Sequence, residues 1–153
     1  MTAAAVPRHE DCNCFAVRSA ARHVTQFYDQ LLAPAGLRAT QYAVLAKLKR
    51  IGPLTVNQLA NEMVMDRTTL GRNILPLERD GLIRSRRMPS DRRARELQLT
   101  AAGEKRLQAA HKRWARAQVR FENTFGAERA AHLRLLLRDV VASDFSAEDR
   151  LAG

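Results

Sequence analysis

The chain has 153 residues, enough for one compact domain with a real core or for a small module fused to an assembly region. Its 26 lysines and arginines against 16 acidic residues give a formal net charge of +10, which points to an acidic polymer or surface as partner. No apolar run approaches the roughly 20 residues needed to cross a bilayer, and the start of the chain lacks the apolar segment of a signal peptide, so a cytoplasmic protein without a membrane partner is expected. Two cysteines, Cys12 and Cys14, cannot make a disulfide framework, and His9, His23, His111 and His132 show no metal-ligand spacing. Neither a metal nor a cofactor is expected.

Residues 1 to 11 are small or polar and broken by Pro7, and are expected to be mobile. From Cys14 to Leu32 the apolar positions Val17, Ala21, Val24, Tyr28 and Leu31 recur at intervals of three and four, which predicts a helix closed by Pro34 and Gly36. Thr40 is the expected N-cap of a second helix through Tyr42, Leu45, Leu48 and Ile51, ended by Gly52-Pro53. A third, short helix is read from Leu54 onward. Thr55 and Gln58 have capping-box spacing there, and Val56, Leu59, Ala60 and Met63 would form the inner face.

Asp66 is placed to cap a fourth helix whose Leu70, Ile74 and Leu77 face inward. Pro76, ten residues in, removes a backbone donor and predicts a kink or an early stop, which would confine any reading residues to the first two turns. Gly81 breaks the chain before Leu82-Ile83-Arg84, and Glu96 to Leu99 is the matching strand. Between them lies an arginine-rich tip, Met88 to Arg95. Thr100 opens a long fifth helix with a stripe of Leu107, Ala110, Trp114, Ala117, Phe121 and Phe125. Gly126 interrupts it, and Ala130, Leu133, Leu137 and Val140 mark a sixth.

Helix, turn, helix, then a two-stranded ribbon with a basic tip is the order of a winged helix-turn-helix, a mainly α fold with a small β wing. The DNA-binding lobe would span residues 37–99. The flanking segments, 12–36 and 100–145, have apolar stripes that neither end can bury alone, so they are expected to pack together and to pair with a second copy as a homodimerisation region, the alternative being that they cover the lobe within one chain. On this reading the partner is double-stranded DNA, with one helix in the major groove and arginines beside the backbone or minor groove.

The motifs Leu54-Thr-Val-Asn-Gln-Leu-Ala, Asp66-Arg-Thr-Thr-Leu, Leu77-Glu-Arg-Asp-Gly-Leu-Ile, Asp91-Arg-Arg-Ala and Leu99-Thr-Ala-Ala-Gly together give a resemblance to the MarR family of bacterial transcriptional regulators. The likeness runs from about Cys14 to Val141. It implies a homodimer whose winged lobes straddle a pseudo-palindrome, usually a repressor, releasing DNA when a small molecule or oxidant acts at the junction of lobe and dimer region. In that family the Asp-x-Arg of the wing places its arginine in the minor groove, which here is the pair Asp91 and Arg93. Narrow minor grooves concentrate negative potential, which draws arginine in. Arg67, Thr68, Thr69 and Arg72 match the family's DNA-facing helix positions. Arg72 suits bidentate recognition of guanine, and the threonines suit phosphate or a thymine methyl. Arg86, on the ribbon, joins the DNA-contacting set as one of six arginines between Arg84 and Arg95.

Cys14-Phe-Ala-Val, with Ser19-Ala-Ala-Arg and Gln41-Tyr42, is similar to the organic-hydroperoxide-sensing branch of the same family. That likeness implies a cysteine oxidised at Cys14 and tyrosines that hold its thiolate. Tyr28 stands at one tyrosine position, whereas Arg18 occupies the other. A helix N-terminus and Arg18 one turn along would still favour a thiolate, with Cys12 as a nearby resolving partner. The other effector reading is a small anionic aromatic ligand among Arg18, Arg22, Tyr28, Tyr42 and Trp114. His23 and His111 are assigned no role. A third reading is an architectural DNA binder with no effector. An enzyme is not expected, because Cys14 has no specific histidine partner and the glycines are too scattered for a phosphate loop; the nearest enzymatic alternative is a thiol peroxidase.

Overall fold

The computed structural model describes residues 8–146. The chain divides into two compact units after Ala115. The first contains α1 (Asn13–Leu32), α2 (Ala39–Ile51), β1 (Leu54–Thr55), α3 (Val56–Met63), α4 (Arg67–Arg79), β2 (Ile83–Arg87), β3 (Arg95–Leu99) and the first part of α5 (Ala101–Phe125). The second contains the end of α5 and α6 (Ala127–Ala142). The mobile start expected for residues 1–11 lies outside the described residues in its first seven positions, and His9–Asp11 form a short 3-10 turn. Among the described residues no helix is long and apolar enough to cross a membrane.

The core of the first unit is built from the inward stripes of its helices and from strands β2 and β3. Leu45, Leu59, Leu70, Leu77, Ile83 and Leu97 are all at most 2% exposed. Leaving water contributes about 1.5–3 kcal/mol for each side chain of this size, so this cluster outweighs the local preferences of the short elements around it. The inner face expected for α3 is present: Leu59 and Ala60 are buried, and Val56 and Met63 pack at the edge of the cluster.

Helix ends follow local chemistry, with one correction. Thr55 and Gln58 form the reciprocal box, with Gln58 N donating to Thr55 Oγ1 at 3.2 Å and Thr55 N to Gln58 Oε1 at 2.9 Å. Asp66 caps α4 by accepting from Thr69 N at 2.8 Å. Thr40, however, is not a cap. Helix α2 already starts at Ala39, and Asp29 of α1 accepts from Ala39 N at 2.7 Å, while Gln41 accepts from Arg38 N at 2.9 Å. The cap is thus shared between Gln41, three residues on, and Asp29 of another helix, ten residues upstream, and the second half is one that no local pattern around Thr40 could reveal.

Two further expectations are corrected. Of the kink or early stop expected at Pro76, the stop is not found: helix α4 runs through Pro76 to Arg79. Proline in a helix interior costs about 3 kcal/mol, but only one turn lies beyond it. That turn is held by the fully buried Leu77 and by Leu82 N donating to Leu77 O at 2.9 Å. The ribbon is also a three-stranded antiparallel sheet of order β1-β3-β2. Leu54 and Thr55, expected at the start of a helix, pair instead with Leu97 and Glu96.

Thr100 joins the sheet to α5. Its hydroxyl donates to Gly81 O at 2.7 Å and accepts from Gly103 N at 3.0 Å. Gly103 is required here, because a Cβ would lie 2.0 Å from Leu82 O. In the second unit, α6 carries Leu135, Leu136, Leu137, Val140 and Val141 between 41% and 62% exposed, and Ala130 is buried. The guanidinium of Arg129 lies 4.3 Å from the centre of the Phe125 ring, and Arg134 pairs with Glu122 at 3.3 Å.

Two predictions come from this local chemistry. Val64, in the turn between α3 and α4, is a β-branched residue in the left-handed region (φ 53°) and 69% exposed. That conformation costs an L-residue about 1–2 kcal/mol and costs glycine almost nothing sterically, although glycine has more entropy to lose. Val64→Gly should therefore raise unfolding stability by about 1 kcal/mol in a urea titration; a loss would show that the isopropyl group is held by contacts that outweigh the strain.

The second concerns Asp66. Hydrogen bonds from the Thr69 hydroxyl, then from its backbone N–H, hold the Asp66 carboxyl below its ordinary value of 3.8. A depressed folded value means stability that is present above the unfolded value, near 4, and lost as pH falls through the folded value. Asp66→Ala should lower the melting midpoint at pH 7 and converge with the parent in the most acidic buffers. A gap that stays constant down to pH 2 would contradict the cap's ionic character.

Candidate nucleic-acid interface and effector cavity

Helix α4 separates its two faces cleanly. Leu70, Ile74 and Leu77 point into the core, and Arg67, Thr68, Thr69 and Arg72 are all exposed. The four are not equally free. The Thr69 hydroxyl donates to Asp66 Oδ2 at 2.6 Å, so its proton is committed to the cap and its methyl group remains for contact. Arg72 presents its guanidinium on an open helical face, where five donors in a rigid fork suit the two acceptors of a guanine edge.

The wing is fixed by the pairing of β2 with β3 from Ile83↔Leu99 to Arg87↔Arg95. At its tip Asp91 organises the turn. Its carboxylate accepts from Arg93 N at 2.9 Å, and its carbonyl accepts from Ala94 N at 3.0 Å. Asp91 thus acts on the backbone, which sets the direction in which the exposed Arg93 side chain leaves the loop. Arg86 stands opposite Glu96 and reaches its carboxylate at 3.3 Å, so part of its charge is already answered across the strands.

A cleft of about 340 Å³ brings several of these residues to one place. Thr55 and Asn57 at the head of α3, Arg67 at the head of α4, and Asp91, Arg93 and Arg95 of the wing line it. Three of the residues expected to meet DNA, Arg67, Asp91 and Arg93, are therefore neighbours. Thr68 and Arg72 lie along the exposed face of α4 outside the cleft. Asn57 and Arg95 were assigned no role from sequence. The pairing of Thr55 with Glu96 draws the α3 head to the base of the wing, and that pairing belongs to the strand which the sequence pattern did not show.

A larger cavity, about 880 Å³, is lined by α1, α2 and the first part of α5. Of the six residues expected at an effector site, Tyr28, Tyr42 and Trp114 line it, whereas Cys14, Arg18 and Arg22 do not. Cys14 and Cys12 are both exposed free thiols at the start of α1. Inside the cavity the Tyr42 and Trp114 rings are stacked at 5.7 Å, with 16° between their planes, and the His111 ring stacks on Trp114 at 5.4 Å. The Tyr42 hydroxyl and His111 Nδ1 are hydrogen-bonded at 3.0 Å. Burial pushes the Tyr42 phenol above its ordinary value of 10.0, so it stays protonated and donates when Nδ1 is free to accept.

His111 is the residue that sequence reasoning set aside. Its spacing of three from Trp114 and four from Leu107 puts it on the same strip of α5, which was the available signal. The rim is basic: Lys47, Lys49, Arg50 and Lys112 stand against Glu104. Lys47 is paired with Glu62 at 2.9 Å, and Lys49 is paired with Glu104. The walls offer flat aromatic faces and the mouth offers positive charge, a chemistry suited to planar anions.

Comparison with known proteins agrees with this geometry. The MarR family model matches residues 37–94. The chain is 30% identical over 92 residues to YwoH of Bacillus subtilis, an uncharacterized HTH-type transcriptional regulator, a match spanning 60% of this chain and 66% of that one. It is 30% identical over 90 residues to the organic hydroperoxide resistance transcriptional regulator of the same organism, spanning 59% of this chain and 61% of the relative. Among solved structures, the Mycobacterium tuberculosis transcriptional regulator MosR in complex with DNA is 34% identical. It superposes with a TM-score of 0.74 over 86% of this chain and 97% of MosR. The winged helix-turn-helix expected from the sequence is the fold found, and the chain belongs to the MarR family of transcriptional regulators.

Proposed function

We propose that the chain is a cytoplasmic repressor that binds a pseudo-palindromic operator as a homodimer and lets go when a small planar anion occupies the cavity beside α5. The observation that carries the DNA part is the cleft in which Arg67 at the head of α4 meets Arg93 of the wing, with Arg72 exposed further along the same helix. Helix α4 lies in the major groove with Arg72 on a guanine, Thr68 meets phosphate or a thymine methyl, Thr69 turns its methyl group to a thymine methyl, and Arg93 enters the adjacent minor groove. Arg86, with Glu96 already beside it, contributes to the backbone contacts. The exposed apolar side chains of α1 (Phe15, Val17) and of α6 support the dimer, because residues of that size left in water favour association.

Sequences selected by the protein should carry inverted half-sites about 10 base pairs apart, and a duplex with a single half-site should bind far more weakly. Arg72→Ala should cost about 1–3 kcal/mol per half-site and relax the choice of base. Arg93→Ala should weaken all sites, most where the flanks are A·T-rich, and should flatten the salt dependence by about two units of slope, one for each half-site. A slope unchanged by Arg93→Ala would make it a bystander, and equal affinity for selected and random duplex would make the protein an architectural binder.

The effector reading rests on the aromatic stack of Tyr42, Trp114 and His111 beneath a basic rim. Tyr28 completes the wall; Arg18 and Arg22, outside the cavity, are left out of the ligand set. A second reading is favoured by the exposure of both thiols at the head of α1 and by the likeness to the hydroperoxide-resistance regulator. In it an organic hydroperoxide transfers an oxygen atom to the Cys14 sulfur, leaving the alcohol, and the oxidised side chain loosens DNA binding. DNA titrations with cumene hydroperoxide or with salicylate, on the parent, Cys14→Ser and Trp114→Ala, separate the two. Release by salicylate that Trp114→Ala abolishes is the expected result. Release by peroxide that Cys14→Ser abolishes would replace ligand sensing with thiol sensing.

A further inference from the structure

The passage of α4 through Pro76 leaves a third turn of helix whose outer side the reading surface described so far does not include. At about 100° per residue, Thr68, Arg72, Leu75 and Arg79 fall on one strip of α4 about 60° wide. All four are exposed. Leu75 is out of place in that company. It is 63% exposed, with polar or charged neighbours above and below it on the strip. Within residues 37–100 the other exposed large apolar side chains are Ile51, 44% exposed at the close of α2, and Val64, 69% exposed in the turn before α4. Leu75 is therefore the one such residue in the middle of a helix, on the face that carries Arg72.

We infer that Leu75 is a specificity-determining residue that packs on the C5-methyl group of a thymine in each half-site. This inference rests on the placement of α4 in the major groove. The groove presents one apolar feature, the thymine methyl, and an aliphatic side chain meets it without leaving a polar group unpaired. Charge complementarity favours DNA over a protein partner on this strip, because Arg72 and Arg79 flank Leu75 and the chain as a whole carries a net charge of +10. The helical rise between residues 72 and 75 is about 4.5 Å, between one and two base steps, so the thymine lies one or two base pairs from the guanine read by Arg72. Arg79, whose guanidinium is 3.3 Å from the Asp80 carboxylate, stands at the outer end of the strip, where the phosphate backbone passes.

The test replaces each thymine of the selected operator in turn by deoxyuridine, which removes the methyl group and nothing else, and measures binding by the parent and by Leu75→Ala. At one thymine in each half-site, one or two steps from the guanine, the parent should lose about fourfold in affinity for each half-site altered. Leu75→Ala should bind the unmodified duplex with that same loss and should be indifferent to the replacement at that position alone. Leu75→Asn should behave likewise and shift the selected base away from thymine. The inference is overturned if no replacement weakens the parent, or if Leu75→Ala responds to every replacement as the parent does. Should Arg72→Ala also leave selection untouched, the placement of α4 itself fails; if Arg72→Ala relaxes selection and Leu75 shows no methyl coupling, only the role of Leu75 falls. Circular dichroism of both variants checks that the helix persists.

Discussion

The register of β3 is the constraint on which the geometry of the basic cleft between α4 and the wing depends. This five-residue strand is the middle of the sheet, pairing with β1 on one side and β2 on the other, with Leu97 buried between them. Through β1 it fixes the head of α3; through β2 it fixes the wing and the exit of α4. A slip of one residue would carry Leu97 to the outer face and bring a charged or amide neighbour into the core. The cleft where Arg67 meets Arg93 exists only in the observed register. Burial of a single leucine therefore sets the position of arginines that lie well outside the core.

The same strand ends at Leu99, and at Thr100 the sheet passes its geometry to α5. One hydroxyl ties the turn before β2 to the head of α5, donating to the carbonyl of Gly81 and accepting from the N–H of Gly103. With Gly103 pressed against Leu82 O, the head of α5 has little freedom to shift without moving the start of β2. Further along this helix are Leu107, His111 and Trp114, which line the aromatic cavity. The first unit thus contains a continuous series of close contacts from cavity wall to wing. Packed interiors transmit displacement well, because few voids are available to absorb it.

What was legible in the sequence was whatever depends on neighbours. The capping box of Thr55 and Gln58, the Asp66 cap and the buried stripe of α4 were all visible, because the partners are three or four residues apart. The exposure of Arg67, Thr68, Thr69 and Arg72 on α4 was legible for the same reason, because it follows from the buried stripe opposite. What was hidden depends on distant partners. Asp29 caps α2 from another helix, β1 is two residues long and exists only because β3 lies beside it, and Pro76 is tolerated because the turn beyond it is anchored in the core. The effector set divided along the same line. Tyr28, Tyr42 and Trp114 lie on inward stripes and converge, whereas Cys14, Arg18 and Arg22 sit on the first turns of α1, which the cavity does not reach. His111 was passed over because its partner, the Tyr42 hydroxyl, is 69 residues away.

The stack in the cavity also makes the protein its own optical reporter. Trp114 is the chain's single tryptophan, and its ring lies against both the Tyr42 and the His111 rings in the wall of the cavity. Indole emission depends on the polarity around the ring and on groups in contact with its face, so the whole tryptophan signal of this chain comes from one wall of one cavity. Emission energy then reads hydration of that wall, and polarisation reads its rigidity. Neither requires a label, and neither is diluted by a second indole elsewhere in the fold.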